Sequence, residues 1–144
     1  MIDERIYVIV PQTVQCEVIT PLDNETIKVE TKSFPMVAGR LIAQGVHIGR
    51  MLGNWYFNRG NPEITTIVLS VRNTKELRKV SDEIKRKVDE LVETVDRIPY
   101  EEFHDTNVAF YGTEDKIHTI TAFGPITPEI RELFEEAIGH LELF

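Results

Sequence analysis

This sequence predicts a three-layer α/β domain on a small mixed β-sheet, with an inserted N-terminal β-hairpin. Three observations lead there. Apolar, β-branched runs such as "RIYVIV" and "EITTIVLSV" alternate with segments of helical periodicity, the pattern of a sheet covered on both faces. Two other stretches read as hairpins, so part of the sheet is antiparallel. The chain has 144 residues, 42% of them hydrophobic, which suits one domain over 1–144 and leaves no room for two.

The elements follow in order. "RIYVIV" (5–10) is a buried strand by its β-branched and aromatic content. "QCEVIT" and "TIKVET" flank the loop "PLDNE", which predicts a hairpin over 15–31, within an insertion at 11–33. A helix spans about 38–57 and is closed by "NRGNP"; "EITTIVLSV" (63–71) is the next buried strand. Asn73, with Glu76 three residues on, resembles a capping box. Leu77, Val80, Ile84, Val88, Leu91 and Val95 then recur at steps of three and four, so one face of a long helix packs on the sheet. "IPYEEFHD" is a short strand or strand end. "NVAFY" and "IHTITAF" enclose the turn "GTEDK" as a second hairpin. Thr127 before Pro128 marks the N-cap and first position of a last helix. Its apolar stripe is Ile130, Leu133, Phe134, Ala137 and Ile138.

Charge and cysteine content narrow the function. A net charge of −8 argues against a general nucleic-acid binder, which normally carries a basic footprint. The basic residues Lys75, Arg78, Lys79, Lys85, Arg86 and Lys87 cluster in one helix and read as a solvated face of mixed-sign pairs. A single cysteine, Cys16, excludes an internal disulfide and fits a packing role in a strand. Without a signal peptide or a run of ~18 apolar residues, the expectation is a soluble cytoplasmic protein with no membrane association.

The first helix carries the candidate site. Leu41, Gly45, Ile48 and Leu52 follow one line and are expected to face the core. Gly45, Gly49 and Gly53 form a smooth ridge for close approach to the sheet or a neighbour. Beside them run Arg40, Gln44, His47 and Asn54, with Met51 among them. Arg40 lies near the helix N-terminus, where N–H groups attract anions, so Arg40, Gln44 and His47 could hold a phosphate or a carbonyl. Alternation along "IHTITAF" puts Thr119 on the face of Ile117 and Thr121, while His104 and Asp105 point to opposite faces. His47, His104, His118 and His140 include no pair at a recognised metal-ligand spacing, so no metal site is expected. Trp55, Tyr56 and Phe57 read as packing beneath the "NRGNP" loop, with base stacking as the alternative.

Met36-x-x-Gly39-Arg40-x-x-Ala43-Gln44-x-x-His47 resembles the M-x-x-G-K-x-A-A-Q-x-x-H segment of type 2 peptidyl-tRNA hydrolases. "HTITAFGPITPEI", ending in "GHLELF", is similar to that family's C-terminal "TVLAIGP…GHLKLY". Together the two matches cover residues 34–144. The resemblance implies a small mixed sheet with helices on both faces, and hydrolysis of the ester joining a peptide to the tRNA 3′ end. It also implies that no metal or cofactor takes part; family members often act as dimers, so a homodimer is among the expected partners. Of the family's catalytic Lys, Asp and Thr, the first position is Arg40 and the last is Thr119. The family's D-A-G-R-T-Q is absent; Asp105 is the nearest equivalent of its aspartate, and Asn107 the competing alignment. Replacing Lys by Arg keeps the charge but substitutes a planar fork that stays protonated. The insertion adds Glu17, Asp23, Glu25 and Glu30, which would repel an RNA backbone, so tRNA binding is expected to be weak and salt-dependent. Three readings follow: an ester hydrolase of low or lost activity using Arg40, Asp105 and Thr119; a non-catalytic binding protein on the same fold; or a different enzyme using the Arg40, Gln44 and His47 face.

Overall fold

A computed structural model of the chain describes residues 3–56, 64–95, 97–106 and 116–144, leaving aside the side chains of Cys16, Tyr56 and Thr106. Strand β1 (Arg5–Pro11) is the central element. It leads into a ribbon of β2 (Thr13–Pro21) and β3 (Ile27–Pro35), followed by α1 (Ala38–Tyr56) and β4 (Thr65–Val71). Helix α2 (Thr74–Glu90) runs into a 3₁₀ turn at Leu91–Glu93, then come β5 (Tyr100–Thr106) and β6 (Lys116–Ile126). The C-terminus holds α3 (Pro128–Arg131), a 3₁₀ turn (Glu132–Phe134), α4 (Glu135–Ile138) and a short β7 (Glu142–Leu143).

Among the described residues, the main sheet has five strands in the order β5-β6-β1-β4-β7, with the β2–β3 ribbon as a separate two-stranded sheet. β1 and β4 are parallel and the other pairings antiparallel, so the sheet is mixed. Alternation along β1 divides the core. Tyr7 and Ile9 pack with Leu77, Val80, Ile84, Phe123 and Phe134 under α2 and the C-terminal segment. Ile6, Val8 and Val10 pack with Ile48, Leu52, Ile120 and Ala122 under α1. Each fully buried Ile, Leu or Phe contributes about 1.5–3 kcal/mol of transfer free energy, so both faces have a real core. The fold is the predicted three-layer α/β arrangement with its N-terminal hairpin. Among the described residues, no helix is long and apolar enough to cross a membrane.

Several local expectations change. The hairpin is longer than 15–31, because β2 and β3 pair from Thr13↔Pro35 to Pro21↔Ile27. "IHTITAF" pairs with β5, which becomes the neighbouring strand. "NVAFY", "NRGNP", Phe57 and Asn107 lie outside the described residues, and Cys16 and Tyr56 are described only in their backbone. Only half of the capping box forms. Asn73 accepts from the Glu76 N–H at 2.9 Å, while the Glu76 carboxylate accepts from Arg72 Nε at 2.8 Å. Leu133 is exposed, because the last helix breaks into short turns and rotates that position outward.

The glycines answer to a different need than expected. Gly45 is exposed, and a Cβ built at Gly45, Gly49 or Gly53 meets nothing within 4 Å. Among the described residues, no close approach requires them. Gly45 and Gly49 instead border an apolar groove of about 450 Å³ between α1 and the β1–β4 strands, with Leu41, Val68 and Phe144 along its sides. Gly124 is where the backbone does demand glycine: its φ is +111°, and a Cβ would lie 2.6 Å from the Arg5 carbonyl.

Candidate functional site

The buried line of α1 runs through Gln44 rather than Gly45. Gln44 is 2% exposed, beside Ile48 and Leu52 at the same burial. A primary amide is tolerated there only if its donor and acceptor are satisfied, and both are. Gln44 Oε1 accepts from the Thr119 hydroxyl at 2.5 Å, and Gln44 Nε2 donates to Asp105 Oδ2 at 2.9 Å. Thr119 is 1% exposed, and a 3.4 Å approach to the Phe103 carbonyl supplements its bond to Gln44.

A β-bulge brings Thr119 to this face. In the β5–β6 register, Phe103 pairs with Ile120 and His104 with His118, so Thr119 is the extra residue on β6. Thr119 turns to Gln44 on α1 and Ile120 joins the core beneath the same helix, so two consecutive residues share a face. Thr121 therefore points the other way, to Ser81 on α2. Strict alternation, which joined Thr119 to Thr121, is broken here.

On β5 the alternation holds. Asp105 reaches α1 through Gln44, whereas His104 stacks on His118 with ring centroids 4.8 Å apart and bonds to Glu102. The two neighbours are on opposite faces. His47 is exposed and stacks on Phe103, with centroids 4.5 Å apart and planes 7° from parallel. Arg40 is half-buried in the first turn of α1, one turn before Gln44. The structure thus joins Gln44, Asp105 and Thr119 by hydrogen bonds and brings His47 against the same strand pair. Gln44 and Thr119 are both buried. Through the Gln44 amide they fix one oxygen of the Asp105 carboxylate.

The chain matches no family model and no curated protein sequence.

The sheet's other face carries a polar cluster that sequence reasoning missed. Arg78, read as one of a solvated row, donates to both oxygens of Glu102 at 2.7 Å and to Asp82 at 2.7 and 3.0 Å. Its Nη1 also donates to His118 Nδ1 at 3.2 Å. The Tyr100 hydroxyl donates to Glu102, and a second contact of that hydroxyl is the Ser81 carbonyl at 3.2 Å. Burial acts to raise the Glu102 pKa, but hydrogen bonds from Arg78, Tyr100 and His104 outweigh it and hold the carboxyl well below its ordinary range. Burial also pushes His118 down to about 4, with Glu102 opposing and the positive charges of Arg78 and His104 reinforcing the shift. A polar residue at every second position of "YEEFHD" was the available signal. Its partners on α2 and β6 are remote in sequence.

Proposed function

We propose that this protein is a peptidyl-tRNA hydrolase-like ester hydrolase of low activity, acting on the ester between an acyl group and the tRNA 3′ end. The hydrogen-bond chain Thr119–Gln44–Asp105 is the observation that carries the reading. Because Thr119 donates to the Gln44 carbonyl, the Gln44 amide is left to donate to Asp105, and the carboxylate is oriented from behind by two buried groups. In the proposed reaction, Asp105 accepts a proton from a water that attacks the ester carbonyl. Arg40 and the first-turn N–H groups of α1 counter the charge growing on the carbonyl oxygen. Collapse of the tetrahedral adduct breaks the bond to the ribose oxygen, which takes the proton back and leaves as the hydroxyl. His47, held flat on Phe103, offers an exposed ring beside the same strands. Arg40 supplies charge but no proton, which supports slow turnover. The proposed reaction calls on no cofactor, and its tRNA substrate is the reason for proposing a cytoplasmic protein.

The test is single-turnover hydrolysis of peptidyl-tRNA. Slow cleavage by the wild-type protein, lost in Asp105→Asn with an unchanged melting temperature, is expected. Asn keeps an oxygen acceptor for Gln44 but cannot take the proton. Full activity in Asp105→Asn removes Asp105 from the reaction.

A second reading is favoured by the apolar groove beside α1. Ile42 and Val46 on the same helix are 67% and 57% exposed, and Phe144 at the groove edge is half exposed. That surface suits a non-catalytic binding protein, with a second copy of this chain as its partner. Sedimentation of wild type against Val46→Asp tests the partner: a dimer lost on substitution is expected, a monomeric wild type refutes this reading, and the peptidyl-tRNA assay above separates it from the hydrolase.

A further inference from the structure

We propose that Glu102, His104 and His118 bind a divalent transition-metal ion of the zinc class, and that Arg78 competes with the ion for the same lone pairs. The three side chains offer ligating atoms that all lie within 4.8 Å of one another. They stand on the face of the sheet away from Asp105, so the proposal is independent of the hydrolase reading. Two imidazole nitrogens and a carboxylate oxygen are a donor set suited to Zn²⁺ and Co²⁺.

The outer hydrogen bonds favour coordination. Arg78 donates to His118 Nδ1, so that nitrogen carries the lone pair and Nε2 carries the proton. The Nε2–H donates to Thr121 Oγ1 at 2.6 Å, and Thr121 in turn is 2.6 Å from Ser81 Oγ. A hydrogen bond to the second ring nitrogen fixes the tautomer and orientation of a metal-ligating histidine. His104 Nε2 lies 3.0 Å from Glu102 Oε1 on a side chain that is 41% exposed, and in the proposed site it turns to aim that nitrogen at an ion on the carboxylate.

Arg78 also has somewhere to go. Its guanidinium is already bonded to Asp82, one turn along α2, at 2.7 and 3.0 Å, so on leaving Glu102 and His118 it keeps a carboxylate partner. A cavity of about 410 Å³ lined by Lys85, Tyr100, Glu102 and His104 opens onto the cluster and provides an entry path. It also leaves room for water in the fourth position of a tetrahedral ion with three protein ligands.

Co²⁺ titration of the full chain, read by visible absorption and by displacement with Zn²⁺, tests the proposal. One ion per chain is expected. His104→Ala should weaken binding at least tenfold, and Arg78→Met, which removes the competitor and keeps the stem, should tighten it about tenfold. Circular dichroism checks that each variant is folded. His104 is the chosen ligand because it is the exposed one, and its removal leaves the core intact. Absence of uptake at millimolar ion by both wild type and folded Arg78→Met overturns the proposal. So does uptake that His104→Ala leaves unchanged, or an Arg78→Met affinity no tighter than wild type.

Discussion

The Thr119 hydroxyl on β6 donates a 2.5 Å hydrogen bond to the Gln44 side-chain carbonyl on α1, joining residues 75 positions apart. Both groups are buried, so removing either alone leaves an unsatisfied partner. Gln44→Leu or Thr119→Val should each cost about 1–3 kcal/mol by urea denaturation. The double substitution should cost less than the sum, because Thr119 no longer waits for a partner. Strict additivity would show that the two groups do not act as a pair.

Stability should fall in two stages as pH is lowered. His118 has an ordinary value of 6.5 and is pushed down to about 4 in the folded protein. The unfolded chain therefore takes up a proton before the native state does, and stability is lost between pH 6.5 and 4, by roughly 3 kcal/mol. Glu102 acts lower. Its folded pKa is depressed from 4.5, so its contribution is present above that pH and is lost as pH falls towards the native value. His118→Gln should flatten the upper stage of the urea midpoint against pH, and Glu102→Gln the lower. A flat profile from pH 7 to 4 in the wild type would refute the first.

Two glycine substitutions should move stability in opposite directions. Gly49→Ala adds a Cβ that meets nothing within 4 Å, so it should raise the melting temperature through a helix-propensity gain of about 1 kcal/mol. Gly124→Ala places its Cβ 2.6 Å from the Arg5 carbonyl at a φ of +111°, and should destabilise by at least ~1–3 kcal/mol. Scanning calorimetry of both variants checks the pair.

Binding of tRNA, if the proposed function holds, should weaken steeply with salt. The net charge of −8 confines phosphate contacts to a local patch. Arg40→Ala should reduce the slope of log affinity against log salt by about 1. An affinity insensitive to salt would show that contacts other than phosphate dominate.

Local periodicity was enough to read the fold from the sequence. The apolar, β-branched run of β1, the steps of three and four in α2 and the Asn73 cap are each legible within a few residues. Their alternation implied a sheet covered on both sides. Arg40, Gln44 and His47 could be grouped for the same reason, since successive helix turns bring them to one side of α1. Tertiary structure decided what local spacing does not encode. The bulge at Thr119 follows from the pairing of β6 with β5, and it turns Thr119 and Ile120 to one side while sending Thr121 to the other. Gln44 is buried in place of Gly45 because Asp105 and Thr119, more than sixty positions away, satisfy its amide. Arg78 leaves the solvated row because Glu102 and His118 meet it across the α2–sheet interface. Partners this remote come together only when the strands pair, and burial then turns ordinary surface side chains into satisfied networks.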